Sequence, residues 1–256
     1  MCWSGEASLT LASIGLAATG YAAWRGESPR LYGALGYFSL MELLQAYSYS
    51  VIDQCGLPAN QIATLLGYIH IAFQPFFINM ISMYFIPDRI RKRIEYPIYA
   101  ICFASAVFML LQLYPFAWAG ACFPGSILCS DVLCTVRGSW HIAWEIPLNG
   151  LTAPIREEPT LRVMLTVFPS YVIAGFYLPL LYGSWRFTLY HLFSGPLLAH
   201  VVSGSANEMP AVWCLLSIAI LLLVVKTPLR KVMFVKHWFL WPKERQAGSG
   251  TDAKVT

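Results

Sequence analysis

Seven apolar segments, most of them close to twenty residues long, constrain this chain more than any other feature of its sequence. A helix needs roughly 20 mostly apolar residues to cross the ~30 Å hydrocarbon core of a bilayer. The segments cover approximately residues 7–24, 31–52, 60–86, 96–118, 161–183, 185–203 and 208–225. Only 12% of the residues are charged, against the ~25% of an average soluble domain. The sequence therefore predicts an all-α, polytopic membrane bundle of seven transmembrane helices.

The basic residues indicate how this bundle is oriented. Fourteen of the seventeen Lys and Arg residues lie in four segments that would share one side of the membrane. These segments are the connectors between the first and second, third and fourth, and fifth and sixth spans, and the region after the seventh span. Because cytoplasmic loops carry an excess of Lys and Arg, the N-terminus is predicted outside and the C-terminus in the cytoplasm. Membrane topology thus accounts for the net charge of +4. We expect a lipid bilayer as the partner and no nucleic acid.

The domain organisation follows from the same pattern. Residues 1–245 are predicted to form one bundle, and the polar tail 246–256 is predicted to be disordered in the cytoplasm. The long connector 119–160 falls on the outer side and is long enough to be a lid or a binding loop. Within it, residues 139–147, which include Trp140 to Glu145, are expected to lie in the membrane interface or to enter the membrane as a half-helix.

Cysteines concentrate on the predicted outer side. An oxidising exterior would permit one or two disulfides there, pairing two of Cys122, Cys129 and Cys134, with Cys55 as the other candidate. The sequence leaves the pairing open.

Two ionisable residues lie deep inside predicted spans at matching depths. Glu42 and His70 are each about ten residues from the outer ends of the second and third spans. A carboxylate at the bilayer centre costs at least ~2.5–3.5 kcal/mol unless it has a partner. His70 also shares a helix face with Gln74, directly before Pro75, which weakens the helical hydrogen-bond ladder. A Glu42–His70 pair could be structural, could relay a proton, or could form half of a metal site.

Further residues of metal-binding type share the predicted outer half. His141 and Glu145 are four residues apart in the long connector, His200 lies near the outer end of the sixth span, and Glu208 just precedes the seventh. Together with His70, such side chains would suit zinc or iron, and a catalytic zinc usually has three protein ligands and a water. Because the sequence contains no HExxH motif and no multi-histidine cluster, a metal centre stays one alternative.

Four blocks of sequence carry a family resemblance, namely MELLQ (41–45), HIAFQPFFIN (70–79), WHIAWEIPL (140–148) and NEMPAVWC (207–214). They resemble an uncharacterised family of seven-helix integral membrane proteins that is known as a domain of unknown function. The resemblance covers most of the chain. It implies a multi-pass membrane protein and brings no activity with it.

Two functions fit the predicted site. The first is a membrane-embedded enzyme that acts on a lipophilic small molecule, with Glu42 and His70 as catalytic acid and base or as metal ligands. The alternative is a transporter or small-ligand receptor in which Glu42 and His70 form a protonation switch. A structural subunit of a larger complex is the third hypothesis.

Overall fold

The computed structural model describes residues 3–151 and 168–242, and within them the chain forms eight helices and one β-hairpin. The helices are α1 (Gly5–Trp24), α2 (Pro29–Ser50), α3 (Pro58–Ser82), α4 (Asp88–Leu111), α5 (Pro169–Leu181), α6 (residues 185–202), α7 (Met209–Lys226) and α8 (Leu229–Met233). The hairpin pairs β1 (Cys134–Arg137) with β2 (Ile142–Glu145). The chain is therefore mostly helical, as the sequence predicts. The predicted disordered tail, 246–256, and the start of the fifth predicted span lie outside the described residues.

Two of the described helices are long and apolar enough to cross a membrane, rather than the seven expected. They are Pro58–Phe85, which is α3 with the 3-10 turn that follows it, and Asp88–Leu111, which is α4. The described parts of α5 and α7 are apolar but shorter, and α6 is interrupted by a π-helical turn. Only 28% of the apolar window of α4 is buried inside the protein, so most of its apolar surface faces outward.

Helix α2 is central because it packs against α1, α3 and α7. Small residues permit the close approach of α1, as is common between membrane helices. A Cβ added at Gly15 of α1 would lie 2.1 Å from the Ser39 hydroxyl of α2, and one at Gly36 of α2 would lie 3.1 Å from Thr19 of α1. The contact between α1 and α2 therefore depends on glycines on both helices.

The fold has two chemically different ends, which α2 connects. The hairpin end contains the loop after α2, the connector 112–151 and the hairpin, with Asp53 N–H donating to the Thr135 carbonyl. The basic end contains the α1–α2 and α3–α4 turns and the segment after α8, all of which line one cleft. Arg186, from the start of α6, joins this end by donating to the carbonyls of Val232 and Phe234. The basic segments of the sequence thus meet at one end.

The hairpin corrects the expectation for residues 140–145, which form a turn and a strand instead of a half-helix. Strands β1 and β2 are antiparallel, with Cys134 opposite Glu145 and Arg137 opposite Ile142. The β-branched and aromatic residues Thr135, Val136, Ile142 and Trp144 favour strands, and β1 packs against α3. Residues four apart on a strand are about 13 Å apart, so the helical spacing assumed for His141 and Glu145 does not apply.

Two disulfides fix the hairpin end. Cys55 is bonded to Cys134 and Cys122 to Cys129, so the expectation of one or two disulfides among these four residues is confirmed. The first bond joins the α2–α3 loop to β1, and the second closes a short loop within the connector.

Helices α5 and α6 each contain one π-helical turn, at Ile173–Tyr177 and Phe193–Leu197. The carbonyl of Ala174 in the first turn accepts a hydrogen bond from the Asn79 amide of α3, which also donates to the Pro75 carbonyl. A side-chain amide thereby satisfies carbonyls that irregular backbone leaves free.

Candidate functional site

The most unusual polar group of the fold is Glu42, whose side chain is 0% exposed. Neither of its carboxylate oxygens has a hydrogen-bond partner within ordinary limits among the described residues. Gln45, one turn along α2, is also fully buried, and both terminal atoms of its amide are equally without partners. Buried polar atoms of native proteins are nearly always hydrogen-bonded, so four such atoms on adjacent turns mark a place that calls for a functional explanation.

The surroundings of Glu42 come from α1, α2 and α7. Ser8 of α1 lies beside the carboxyl group, and the Cys214 thiol of α7 is within electrostatic range of it. The Ser8 hydroxyl in turn accepts a hydrogen bond of 2.8 Å from the indole of Trp3. Glu42 therefore faces the contact between α1 and α7.

His70 lies elsewhere, because it contacts a different face of α2. Its ring stacks on Tyr37 with 3.8 Å between centroids, and the Tyr37 hydroxyl donates to the His70 carbonyl. Tyr37 and Glu42 are five residues apart, which separates them by roughly 140° around the helix. No hydrogen bond or ion pair between Glu42 and His70 occurs in the described structure. The two side chains therefore have different neighbours, and their matching depth in a membrane stays a prediction.

Tyr49 extends the polar face of α2 towards the hairpin end. It is seven residues after Glu42, so it lies on the same side of the helix, and it is within electrostatic range of both Glu42 and Glu208. Its hydroxyl and Nδ1 of His141 are 2.6 Å apart and share a hydrogen bond. Polar groups thus continue from Glu42 through Gln45 and Tyr49 to His141.

His141 is fully buried in the turn that precedes β2. Burial lowers its pKa to about 3, although the nearby charge of Glu208 acts in the opposite direction. At neutral pH the imidazole is therefore uncharged. Nδ1 shares its hydrogen bond with the Tyr49 hydroxyl, and Nε2 has no hydrogen-bond partner among the described residues.

Glu208, directly before α7, binds the turn of the hairpin. Its carboxylate accepts hydrogen bonds from the Ser139 hydroxyl at 2.8 Å and from the N–H groups of Trp140, His141 and Gly204 at 2.6, 2.5 and 2.8 Å. Burial raises the pKa of Glu208, but these four donors outweigh it and leave the pKa below its ordinary value. Both oxygens are thus committed to holding the hairpin on α7.

The other predicted ligands are dispersed. Glu145 is half-buried, and the Ser130 hydroxyl lies 3.5 Å from its carboxylate. His200 is exposed on α6. Within residues 3–151 and 168–242, no group of three or more His, Cys, Asp or Glu side chains could hold a metal ion. The described geometry therefore lends no support to the zinc or iron hypothesis, which stays a prediction.

A second buried polar cluster surrounds Gln74. Its amide nitrogen donates to the Cys214 sulfur at 3.0 Å, and its oxygen accepts from the Tyr171 hydroxyl at 2.7 Å. Both terminal atoms of the Gln74 amide are thus hydrogen-bonded. Gln74 has a structural role, because it connects α3 to α5 and α7.

Sequence reasoning missed Ser8, Tyr49 and Cys214 as neighbours of Glu42. Tyr49 carried a usable signal, because its spacing of seven residues from Glu42 puts both on one helix face. Ser8 and Cys214 carried none, since their proximity depends on which helices pack together.

Comparison with known proteins gives one match. A family model described as "Family of unknown function (DUF5765)" matches residues 6–234, which includes every predicted site residue. No curated protein and no solved structure matches the chain.

Proposed function

The chain belongs to this family of unknown function, and we propose that it is a multi-pass membrane protein that acts on a lipophilic molecule by acid–base chemistry at Glu42. The proposed architecture has seven membrane-crossing segments, formed by α1 to α7, with the hairpin end outside and the basic end in the cytoplasm. Its support is the outward-facing apolar surface of α4, the meeting of the basic segments at one end, and the disulfides at the other.

The observation that carries the functional proposal is the Glu42 carboxyl group, which is fully buried and has only the Ser8 hydroxyl beside it, with no described donor within ordinary hydrogen-bond limits. A carboxylate kept only for stability would have donors, because an unpaired buried charge is costly. Ionisable groups inside membrane proteins commonly mark substrate pathways or proton relays. We infer that Glu42 exchanges a proton with a bound molecule and that the Gln45 amide orients that molecule by hydrogen bonding.

Tyr49 and His141 connect this site to the hairpin end. The Tyr49 hydroxyl can accept a proton and donate one, and it is hydrogen-bonded to a neutral imidazole that can do the same. In the proposed mechanism these groups return protons to Glu42 from the outer side. The proposed mechanism does not use His70, because its ring stacks on Tyr37 and no hydrogen bond of its buried Nε2 reaches Glu42 in the described structure.

Modification by dicyclohexylcarbodiimide tests this proposal, because this apolar reagent reacts with protonated carboxyl groups that it can reach from the lipid phase. The full-length protein in lipid nanodiscs is treated over a pH series, and modified peptides are identified by mass spectrometry. We expect modification at Glu42 that falls as the pH rises and the carboxyl group loses its proton.

Two variants are the matched controls. Glu42→Gln removes the reactive carboxyl and should abolish modification at that peptide, whereas Glu145→Gln, at the half-buried glutamate of β2, should leave modification of Glu42 unchanged. The proposal fails if Glu42 is not modified at any pH in protein that remains folded.

A transporter is the second candidate, and the π-helical turns of α5 and α6 favour it. Such turns are frequent at functional sites. Transport requires that the site be reachable from both faces. A Gln45→Cys variant in sealed vesicles separates the functions, since a membrane-impermeant maleimide should label it from one face in an enzyme and from both in a transporter. The free cysteines of the described residues, Cys102 and Cys214, are buried, and the labelling is compared between Gln45→Cys and the parent protein, both with Cys2 replaced by Ser.

A further inference from the structure

The basic end contains a cleft of about 840 Å³ that is unrelated to the Glu42 site. Three parts of the chain form it, namely the α1–α2 turn, the α3–α4 turn and the segment 234–242 after α8. The last part is held in place by main-chain and side-chain bonds: the Val235 N–H donates to the Phe85 carbonyl, and Arg186 donates to the Phe234 carbonyl. The cleft is therefore a built feature of the fold.

Positive charge dominates the lining of this cleft. Arg30, Arg89, Arg91 and Lys236 line it, against the single acidic residue Asp88. Arg30 is paired with Glu95 at 2.5 Å and Arg91 with Asp88 at 2.7 Å. These ion pairs hold the two arginines in position without cancelling the excess of positive charge.

Some donors have no partner after these pairings. The Nε groups of Arg30 and Arg91 are buried and have no acceptor in the described part of the chain. Lys236 is exposed, and no ion pair of its ammonium group occurs among the described residues. Guanidinium groups suit phosphate oxygens because several N–H donors lie in one plane.

An aromatic wall lies next to these charges. The indole N–H groups of Trp238 and Trp241 donate to the carbonyls of Leu181 and Tyr182 at 3.0 and 2.9 Å. Gly183 permits this contact, because a Cβ there would lie 2.7 Å from the Trp238 ring and its φ of +97° favours glycine. Two oriented indoles beside basic residues are typical of the level at which lipid headgroups meet the hydrocarbon core.

We propose that this cleft binds a phosphate monoester, with its oxygens on Arg91, Arg30 and Lys236 and any attached apolar chain against Trp238 and Trp241. The phosphate can belong to an anionic lipid headgroup or to a small soluble molecule, and the recognition chemistry is the same for both. Basic pockets at the cytoplasmic ends of membrane helices are suited to such headgroups. The proposal depends on the geometry of the basic end and not on the chemistry of Glu42.

Native mass spectrometry of the full-length protein in detergent tests the site. The probes are phosphatidic acid, which carries a phosphate monoester, phosphatidylcholine of the same acyl composition, and inorganic phosphate as a competitor. We expect phosphatidic acid to bind in preference to phosphatidylcholine. Arg91→Gln and Lys236→Gln should each weaken that binding about fivefold, as expected for one charge near a headgroup.

A matched control comes from the hairpin end. Arg137→Gln removes one positive charge from an exposed pair with Asp53 and should leave the binding unchanged. Lys236 is exposed and belongs to no helix, so Lys236→Gln is the variant expected to fold normally, and its thermal midpoint verifies this.

The competitor distinguishes the source of the phosphate. Displacement of phosphatidic acid by inorganic phosphate would support a site that recognises the phosphate group alone and accepts soluble esters. Resistance to inorganic phosphate, with preference over phosphatidylcholine, would support a lipid headgroup site. Equal binding of the two lipids, or an equal loss of binding in Arg137→Gln, would overturn the proposal.

Discussion

Glu42 and Glu208 are both fully buried glutamates, yet their surroundings are opposite. Glu208 accepts hydrogen bonds from four donors, whereas no described donor lies within ordinary hydrogen-bond limits of Glu42, which has only the Ser8 hydroxyl beside it. A fully paired carboxylate has no capacity left for chemistry and stabilises the fold. An unpaired one contributes no hydrogen bond to the fold and keeps both oxygens available. The number of donors, and not the burial, separates a structural glutamate from a candidate catalytic one.

The substitution Glu208→Ala is expected to have the largest effect on stability. The substitution leaves the N–H groups of buried His141 and half-buried Trp140 without an acceptor, at about 1–3 kcal/mol each, and also removes the hydrogen bonds that the exposed residues Ser139 and Gly204 donate to a charged group. We expect a loss of about 4–6 kcal/mol in the free energy of unfolding, measured in detergent by denaturant titration. Glu208→Gln should lose less, because its amide oxygen still accepts from two donors. A loss below about 1 kcal/mol in Glu208→Ala would contradict the structural role.

The disulfide between Cys55 and Cys134 tests whether Glu208 alone keeps the hairpin in place. It closes a loop with a sequence separation of 79 residues, whereas Cys122–Cys129 closes one of 7. Loop-closure entropy predicts that the Cys55→Ala/Cys134→Ala variant loses about 4.5 kcal/mol and that Cys122→Ala/Cys129→Ala loses about half as much. Thermal denaturation of both double variants measures the ratio. Equal losses would mean that the long loop is already ordered by other contacts.

His141 lies between the two glutamates, because its N–H donates to Glu208 and its ring is hydrogen-bonded to Tyr49 on the Glu42 face of α2. The pH dependence of the free energy of unfolding tests whether this histidine is neutral and buried. Its pKa is about 3 in the folded protein against 6.5 in the free side chain, so between these values the unfolded chain binds more protons. Stability from this group is therefore complete above pH 6.5 and falls by about 1.4 kcal/mol per pH unit below it. Between pH 6.5 and 5 we expect the parent to lose about 2 kcal/mol more than His141→Asn, measured by thermal denaturation.

This pH window also separates His141 from Glu208. The pKa of Glu208 is lowered, so its contribution to stability is present above the ordinary value of 4.5 and is lost only as the pH falls below that value. An acid transition confined to pH values below 4.5 would thus belong to Glu208 and would contradict the neutral, buried state of His141.

The interior position of Glu42 could be predicted from the sequence, whereas the structural role of Glu208 could not, and the reason is geometric. Helix class and depth follow from counting residues, so the helical fold and the interior position of Glu42 could be foreseen. Which helix a side chain of α2 faces depends on how the helices pack, and residue counting does not give this. His70, the proposed partner of Glu42, therefore contacts Tyr37 instead. The role of Glu208 was hidden because three of its four donors are main-chain N–H groups, which no side-chain motif encodes.

The hairpin was missed because two periodicities compete in residues 134–145. The spacing of His141 and Glu145 fits a helix, and the flanking tryptophans suggested a membrane interface. Strand-favouring residues on both sides of Gly138 and the covalent link from Cys134 to Cys55 decide in favour of the hairpin. A disulfide partner 79 residues away cannot be identified from the local pattern that a sequence window provides.

The smallest expected effect is that of Glu42→Gln on stability. Because neither Glu42 oxygen accepts a hydrogen bond from the described residues, an amide of the same shape removes no such bond and removes an ionisable group from an apolar interior. The free energy of unfolding should change by less than about 1 kcal/mol or rise slightly, while carbodiimide modification is abolished. A loss comparable to that of Glu208→Ala would show that Glu42 is held by donors after all. The contrast between the two glutamates would then disappear, and with it the reason to assign chemistry to Glu42.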